Sequence, residues 1–469
     1  MDGPAAIGGQ QRIDYSALYY VGMRLFGRGT GLAAAAILTL NPWHVRISRF
    51  DGLDPLVIIA SLAVLLWANM PLDDDEQRRP GPALAALAGV VVGISCYGYP
   101  SVRLFLPLFL ITAVLVTWKA WRERLKTREG ALAISVLVIA GTVTTGPLVW
   151  KHVTDPEINK RGSTVGWVWS ETDSPSEKIG KVLYRYAEHF GPDFLFISGD
   201  KDPALSLPKE TRPFYWYDLP LLVVGLLILM SRFRSARAAR LLLVWIILYP
   251  IGDLLNQHIS LHFLRSLPGL CGLVLMVAVG GAGSAEWLWR RHRPTAVGVF
   301  SVVGFLIVGG SVRFLNQFFG EDFYRETYRV TAFGPDLLEA ARWLRPRLDE
   351  VRAVFVTGQQ TAHPYIVTLV GLGYDPHQWF RDVRQVLRGP LRGGLYRNED
   401  VYVRFGKIHF LVHESSINAL KELVSNGRPD RVIFIVRPGQ FELEKLARPT
   451  YEVRDPDGQI VLQVFDVYL

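Results

Sequence analysis

Ten apolar segments constrain this chain more than any other feature of its sequence. A membrane-spanning helix needs about 20 mostly apolar residues. Half of the 469 residues are hydrophobic and only 20% are charged, and the mean hydropathy is +0.20. The clustering of the apolar residues therefore predicts a polytopic α-helical membrane protein. The predicted segments are approximately 14–27, 29–42, 53–70, 82–98, 102–118, 130–150, 218–231, 240–255, 266–286 and 295–313.

Basic residues between the segments predict how they are oriented. If every segment crosses once, four clusters fall on one side, which the positive-inside rule assigns to the cytoplasm. The clusters are Arg24 with Arg28, 119–128, 232–240 and 290–293. The outer side then receives 41–55, 97–101, 151–217, 256–265 and everything after about residue 314. We therefore expect an integral plasma-membrane protein whose C-terminal part is extracytoplasmic.

The composition changes near residue 316, which predicts two domains, 1–315 in the membrane and 316–469 as a soluble α/β domain. The soluble domain shows no metal-ligand spacing and no phosphate-binding loop, which favours an accessory or acceptor-binding role. Predicted helices cover 334–348, 363–372, 376–387 and 415–425, and predicted strands cover 351–357, 401–405, 408–412, 431–436 and 460–468. Within the membrane domain, the external segment 151–217 is rich in aromatic residues, and its stretch 176–190 favours an amphipathic helix on the outer leaflet.

Charge and cysteine content argue against a nucleic-acid-binding protein and against a disulfide-stabilised fold. The net charge is +8, but the arginines lie in short clusters between apolar runs, so we expect no nucleic-acid partner. The two cysteines, Cys96 and Cys271, each lie inside an apolar run, which does not indicate a disulfide framework.

A polar island at 41–55 interrupts two apolar runs. Ionisable groups beside a hydrocarbon layer are costly unless they are hydrated, paired or used in function. An ordinary interfacial loop, anchored by Trp43, is the alternative interpretation. The polar residues of the island are His44, Arg46, Ser48, Arg49, Asp51 and Asp54.

Three further polar groups lie at predicted outer helix ends. Each has an ordinary explanation, as interfacial aromatic anchors, snorkelling arginines or turn-forming carboxylates. Together with the island they predict a ring in which arginines grip a lipid phosphate and a carboxylate acts as general base. The groups are 93–103 with Tyr97, Tyr99 and Arg103, 188–202 with Asp193, Asp200 and Asp202, and 257–265 with His258, His262 and Arg265.

Four stretches carry a resemblance to a known family. They are 41–54 (NPWHVRISRFDGLD), 93–103 (GISCYGYPSVR), 189–200 (HFGPDFLFISGD) followed by 214–220 (FYWYDLP), and 262–268 (HFLRSLP). In this order the chain resembles the polyprenyl- or dolichyl-phosphate-dependent glycosyltransferases of the protein O-mannosyltransferase and aminoarabinose-transferase type. These enzymes have the GT-C membrane fold.

The resemblance implies a membrane glycosyltransferase that moves a sugar from a polyprenyl-phosphate donor to a hydroxyl on protein, lipid or glycan. It implies that Arg49, Tyr97, Tyr99, Arg103, His262 and Arg265 bind the donor. In this family a first membrane helix is followed by an external loop that carries the acidic catalytic base. No such helix is found before residue 14, so we expect no counterpart of this acid here. Asp14 does not fit its place, and Asp51 and Asp54 are the expected catalytic carboxylates. No residues are assigned to a metal, and a divalent ion is left open as a cofactor.

Two other classes stay open at this stage. A transporter or flippase would place ionisable residues in mid-helix and show inverted repeats, whereas most charges here lie at helix ends. A catalytically inactive homologue acting as a binding or scaffold protein agrees with the missing loop.

Overall fold

The structure is a computed structural model that forms two compact units, 1–316 and 317–469. The residues it describes are 3–50, 81–154, 168–170, 172–201, 212–254, 261–320, 325, 334–358, 364–378, 381, 403–405, 407–411, 431–445 and 447–468.

Helices dominate the first unit. They are α1 (Gly3–Phe26), α2 (Arg28–Leu40), α3 (Pro42–Phe50), α4 (Pro82–Ser95), α5 (Pro100–Val116), α6 (Trp118–Leu125), α7 (Arg128–Thr154), α8 (Pro175–Glu188), α9 (Asp218–Ser231), α10 (Arg237–Leu248), α11 (Pro268–Arg291) and α12 (Arg293–Phe319). A π-helical turn covers Asp193–Ile197, and a 3₁₀ turn covers Tyr249–Gly252. Each predicted apolar segment except 53–70 overlaps one of these helices, and 53–70 lies outside the described residues.

Three of the described helices, α7, α11 and α12, are long and apolar enough to cross a membrane. A fourth candidate is α5 together with α6, which are bent by 80° at their junction. Most of the predicted basic cluster 119–128 is therefore helical. Trp121 is buried, and its indole N–H donates to the Thr117 hydroxyl at 3.0 Å, which folds α6 back against the end of α5.

The polar island begins with a helix, α3, rather than with the loop of the alternative interpretation. Pro42 is the first residue of α3, where the backbone N–H that proline lacks would have no partner within the helix. The Asn41 side-chain oxygen caps the helix by accepting a hydrogen bond from the His44 amide at 3.0 Å. This cap starts α3 within two residues of the end of α2. Residues 51–55, the second part of the island, lie outside the described residues.

Glycines allow α9 and α11 to pack backbone against backbone. A Cβ on Gly280 would lie 1.9 Å from the Leu221 carbonyl oxygen, and one on Gly225 would lie 2.0 Å from the Met276 carbonyl oxygen. Such small-residue contacts are a common way for membrane helices to approach closely. The core of the unit includes most of α11 and the buried aromatic side chains of α5 and α10.

The second unit is an α/β sandwich. Helix α13 is Pro335–Leu344 and α14 is Pro364–Leu372. The strands are β1 (Ala353–Thr357), β2 (Val403–Phe405), β3 (Ile408–Leu411), β4 (Arg431–Val436), β5 (Tyr451–Arg454) and β6 (Ile460–Tyr468). Their order is β2-β3-β1-β4-β6-β5, with β1 parallel to β3 and β4 and the other pairs antiparallel.

Strand β5 was not predicted, because its four residues YEVR are largely polar and only Val453 is fully buried. It is held by antiparallel pairing with β6 rather than by its own pattern. The helix predicted at 376–387 lies mostly outside the described residues, and the one predicted at 415–425 lies wholly outside them.

We predict that Gly280→Ala destabilises the protein in detergent by about 1–3 kcal/mol, because the added methyl group overpacks the α9–α11 contact. Gly304→Ala on α12 is the matched control, since no atom lies within 4 Å of its Cβ position. Alanine improves helix propensity at both positions. Equal thermal-unfolding midpoints for the two variants would contradict the packing.

The sheet of the second unit should weaken at acidic pH. His409 on β3 is buried and stacks on Phe355, and burial lowers its pKa to about 4. The unfolded chain, in which a histidine has a pKa of about 6.5, binds the extra proton first. The contribution of neutral His409 to the free energy of unfolding is therefore fully present above about pH 6.5. It falls, by at most about 3 kcal/mol in total, as the pH drops from about 6.5 to about 4.

The measurement is hydrogen exchange of β1 and β3 amides across this pH range, corrected for intrinsic rates. His409→Leu should remove most of the pH dependence, whereas His377→Leu, at an exposed position of the same unit, should leave it unchanged. A slope that survives in His409→Leu would show that another group is responsible.

Candidate active site

One buried carboxylate, Asp253, lies against the side chains of two arginines and a histidine. Arg185 donates from Nε to its carbonyl oxygen at 3.0 Å and from Nη2 to its Oδ2 at 3.1 Å. Arg265 donates from Nη1 to Oδ1 at 3.4 Å, and His189 Nε2 lies 3.6 Å from Oδ2. All four side chains are buried. In these contacts two guanidinium groups face one carboxylate.

The start of α5 lies next to the Asp253 cluster, which brings Tyr99 close to His262 and Arg265. The start of α5 touches the loop around Asp253, because a Cβ on Gly252 would lie 2.5 Å from Ser101 Cβ. The ring of Tyr99 stacks on that of His262, with centroids 6.3 Å apart and an interplanar angle of 16°. The predicted groups 93–103 and 257–265 are therefore neighbours in space.

Helix α3 joins the same neighbourhood through aromatic contacts. Trp43 lies against Phe263, with ring centroids 5.5 Å apart, and the Arg46 guanidinium lies 5.5 Å from the Phe263 ring centre. Asp200 accepts from the Phe263 amide at 2.9 Å. Phe194 packs on both Trp43 and Phe263. Each of the four predicted polar groups thus contributes residues to one connected region.

Sequence reasoning missed a buried pair, Asp14 and His44. Their Oδ2 and Nε2 atoms lie 3.2 Å apart, and each side chain is about 1–2% exposed. Asp14 was rejected because it follows no apolar helix, yet α1 places it beside the start of α3. No local pattern could have found a pair whose members are 30 residues apart.

Arg103 lies in a different setting from Arg265. Its Nε donates to the Cys96 carbonyl at 2.9 Å, and its Nη1 donates to His152 Nε2 at 3.1 Å. His152, near the end of α7, donates in turn from Nδ1 to the Leu148 carbonyl. Tyr97 donates to the Thr144 carbonyl at 3.0 Å and is half exposed. His152 was also missed, since a histidine at a helix end is a common solvated residue.

The remaining predicted residues divide into two groups. Asp193 behaves as a turn former: it is half exposed, and hydrogen bonds from Lys201 and Ser198 hold its pKa below the ordinary value. Arg49 belongs to α3, but its side chain lies outside the described part. Asp51, Asp54, Asp202 and His258 also lie outside it. Among the residues that are described, no group of His, Cys, Asp and Glu has a metal-binding arrangement.

An apolar groove of about 960 Å³ runs between α4, α5, α6 and α7. Along α7 its lining extends from Ile134 to Val153, which corresponds to about 28 Å of helix. That length is close to the hydrocarbon thickness of a bilayer. His152 precedes Val153, the last lining residue of α7, but neither His152 nor Arg103 lines the groove.

The fold of the described residues is similar to that of known structures. The chain is similar to ArnT from Cupriavidus metallidurans bound to undecaprenyl phosphate, with 14% identity, a TM-score of 0.52 and coverage of 98% of this chain and 83% of that chain. The apo form of ArnT gives 15% identity, a TM-score of 0.53 and the same coverage. An oligosaccharyltransferase from Archaeoglobus fulgidus gives 12% identity, a TM-score of 0.41 and coverage of 97% and 62%.

The predicted resemblance to GT-C glycosyltransferases is thus confirmed at the level of the fold by the ArnT structures. No protein-family model matches the sequence, and no curated protein matches it.

We predict that Asp253→Ala destabilises the protein by about 3–5 kcal/mol, because it leaves Arg185 and Arg265 buried without their carboxylate. Asp193→Ala removes a half-exposed pair with Lys201 and should cost less than about 1 kcal/mol. Thermal unfolding of both purified variants measures the difference. Equal midpoints would mean that the Asp253 cluster contributes nothing to stability.

Proposed function

We propose that this protein is a membrane glycosyltransferase that transfers a sugar from a polyprenyl-phosphate donor to a hydroxyl acceptor on the outer face of the plasma membrane. The supporting observation is the gathering of Tyr99, His262 and Arg265 with an arginine-rich buried cluster in a GT-C fold. The ArnT structure of similar fold was solved with undecaprenyl phosphate, a ligand of this chemical type.

Arg103 is the residue we propose as the main phosphate contact. It is half-buried, and neither of the two partners described above is a carboxylate. Its charge is therefore available to an anion, whereas the charge of Arg265 is partly compensated by Asp253. A guanidinium matches phosphate geometry through paired, charge-assisted hydrogen bonds.

The apolar groove between α4, α5, α6 and α7 is the proposed binding site of the carrier chain. A polyprenyl phosphate combines one anionic end with a long hydrocarbon chain. The Arg103–His152 pair, next to the lining residue Val153 in the sequence of α7, and about 28 Å of apolar lining along α7 match these two parts. Burial of the chain would supply binding energy, and Arg103 would fix the position of the phosphate.

The proposed reaction is an inverting displacement at the anomeric carbon. The acceptor oxygen forms a bond to that carbon while the bond to the carrier phosphate oxygen breaks. The acceptor proton passes to a carboxylate, for which we retain Asp51 and Asp54, and the arginines stabilise the leaving phosphate. Arg49, Tyr97, Tyr99 and His262 complete the proposed donor site, and the 316–469 domain is proposed to bind the acceptor.

We predict that Arg103→Ala lowers sugar transfer from a labelled polyprenyl-phosphate donor by 10²-fold or more, an order of magnitude typical for loss of one charged transition-state contact. Arg103→Lys should restore part of the rate, because it keeps the charge without the paired geometry. Arg234→Ala, in an exposed loop, is the control and should retain full activity. Unchanged transfer by Arg103→Ala would remove the phosphate role from this residue.

A further inference from the structure

Helix α8 presents an uncharged face that nothing in the described structure covers. Residues of this face recur at helical spacing, so they lie on one side of α8. Ile179 and Leu183 are each 61% exposed, and Tyr184 is 69% exposed. A contiguous exposed apolar face of this kind marks an interaction surface. The face consists of Ser176, Ile179, Gly180, Leu183, Tyr184 and Ala187, all of which are exposed.

The opposite side of α8 is fixed to the helix bundle. Arg185 is buried and donates its two hydrogen bonds to Asp253. Tyr186 donates to the Ile247 carbonyl at 2.9 Å, and Tyr249 donates to the His189 carbonyl at 2.5 Å. These bonds hold α8 beside the end of α10, and so determine which face points away from the protein.

The same contacts place α8 at the end of a membrane-crossing helix. Helix α11 is long and apolar enough to span, and it begins at Pro268. Trp245 donates to the Pro268 carbonyl at 2.7 Å, and the Tyr249 ring packs on Gly269, where a Cβ would lie 2.4 Å from it. Since Tyr249 also bonds to His189, the C-terminal end of α8 lies beside the start of α11, where a membrane span formed by α11 would end.

We propose that α8 lies in the interface of the leaflet that contains the start of α11, with its uncharged face toward the acyl chains. Aromatic and aliphatic side chains on one face and charges on the other are typical of interfacial helices. The exposed Glu177 and Lys181 lie outside the uncharged face, where headgroups and water can solvate them. Because Arg185 of α8 bonds to Asp253, this interfacial position of α8 sets the depth of Asp253 and Arg265 relative to the bilayer. The proposal does not depend on sugar transfer.

The test uses the full chain in lipid nanodiscs. A nitrobenzoxadiazole probe is attached to a cysteine at Leu183→Cys or Ile179→Cys, and Lys181→Cys is the matched control on the charged side. The native cysteines are buried, and unsubstituted protein gives the background labelling. Each sample is measured in phosphatidylcholine with ordinary acyl chains and with brominated acyl chains.

We expect blue-shifted emission at positions 183 and 179 and a loss of intensity in brominated lipid that is greater than at position 181. Water-like emission at all three positions would overturn the proposal. Blue-shifted emission at 183 and 179 without quenching by bromine would also overturn it, since a protein partner or a second copy would then cover the face. Equal quenching on both sides of the helix would contradict the proposed orientation.

Discussion

The arrangement of the site depends on the carboxylate of Asp253. Burying this group is costly, and Arg185 and Arg265 compensate by bringing their charges to it from 68 and 12 residues away in the chain. The same contacts tie α8 to the loop before α11. Through Arg265 and its neighbour His262, they also fix the surface on which Tyr99 stacks. The cluster thus brings two guanidinium groups next to the Tyr99–His262 stack.

The arginines of the predicted site consequently have different environments. Arg265 is part of a buried ion cluster. Arg103 is half-buried and donates to His152 near the end of α7. The sequence-based hypothesis assigned both to the carrier phosphate as equals. We propose Arg103 for that contact, because ion pairing to Asp253 already uses part of the charge of Arg265.

Hydropathy predicted the helices of the first unit well, since a span depends on a local, one-dimensional property of the chain. Elements whose structure depends on a contact were harder to predict. Helix α3 depends on the Asn41 cap, α6 on the Trp121–Thr117 bond, and β5 on its pairing with β6. For the site, the structure brings Tyr99, His262 and Arg265 of the predicted groups together, and their role in donor binding stays a prediction. The partners Asp253, Arg185 and His152 could not be found, because pairing over tens of residues leaves no pattern in the sequence.

The central claim is that sugar leaves a polyprenyl phosphate on this protein. It is tested most directly by following a donor labelled in both its sugar and its phosphate in proteoliposomes with candidate acceptors. The account predicts that free polyprenyl phosphate appears in equal amount to glycosylated acceptor, whose anomeric configuration is inverted. Movement of the intact donor between leaflets, with no release of polyprenyl phosphate under any acceptor condition, would contradict it and identify a flippase instead.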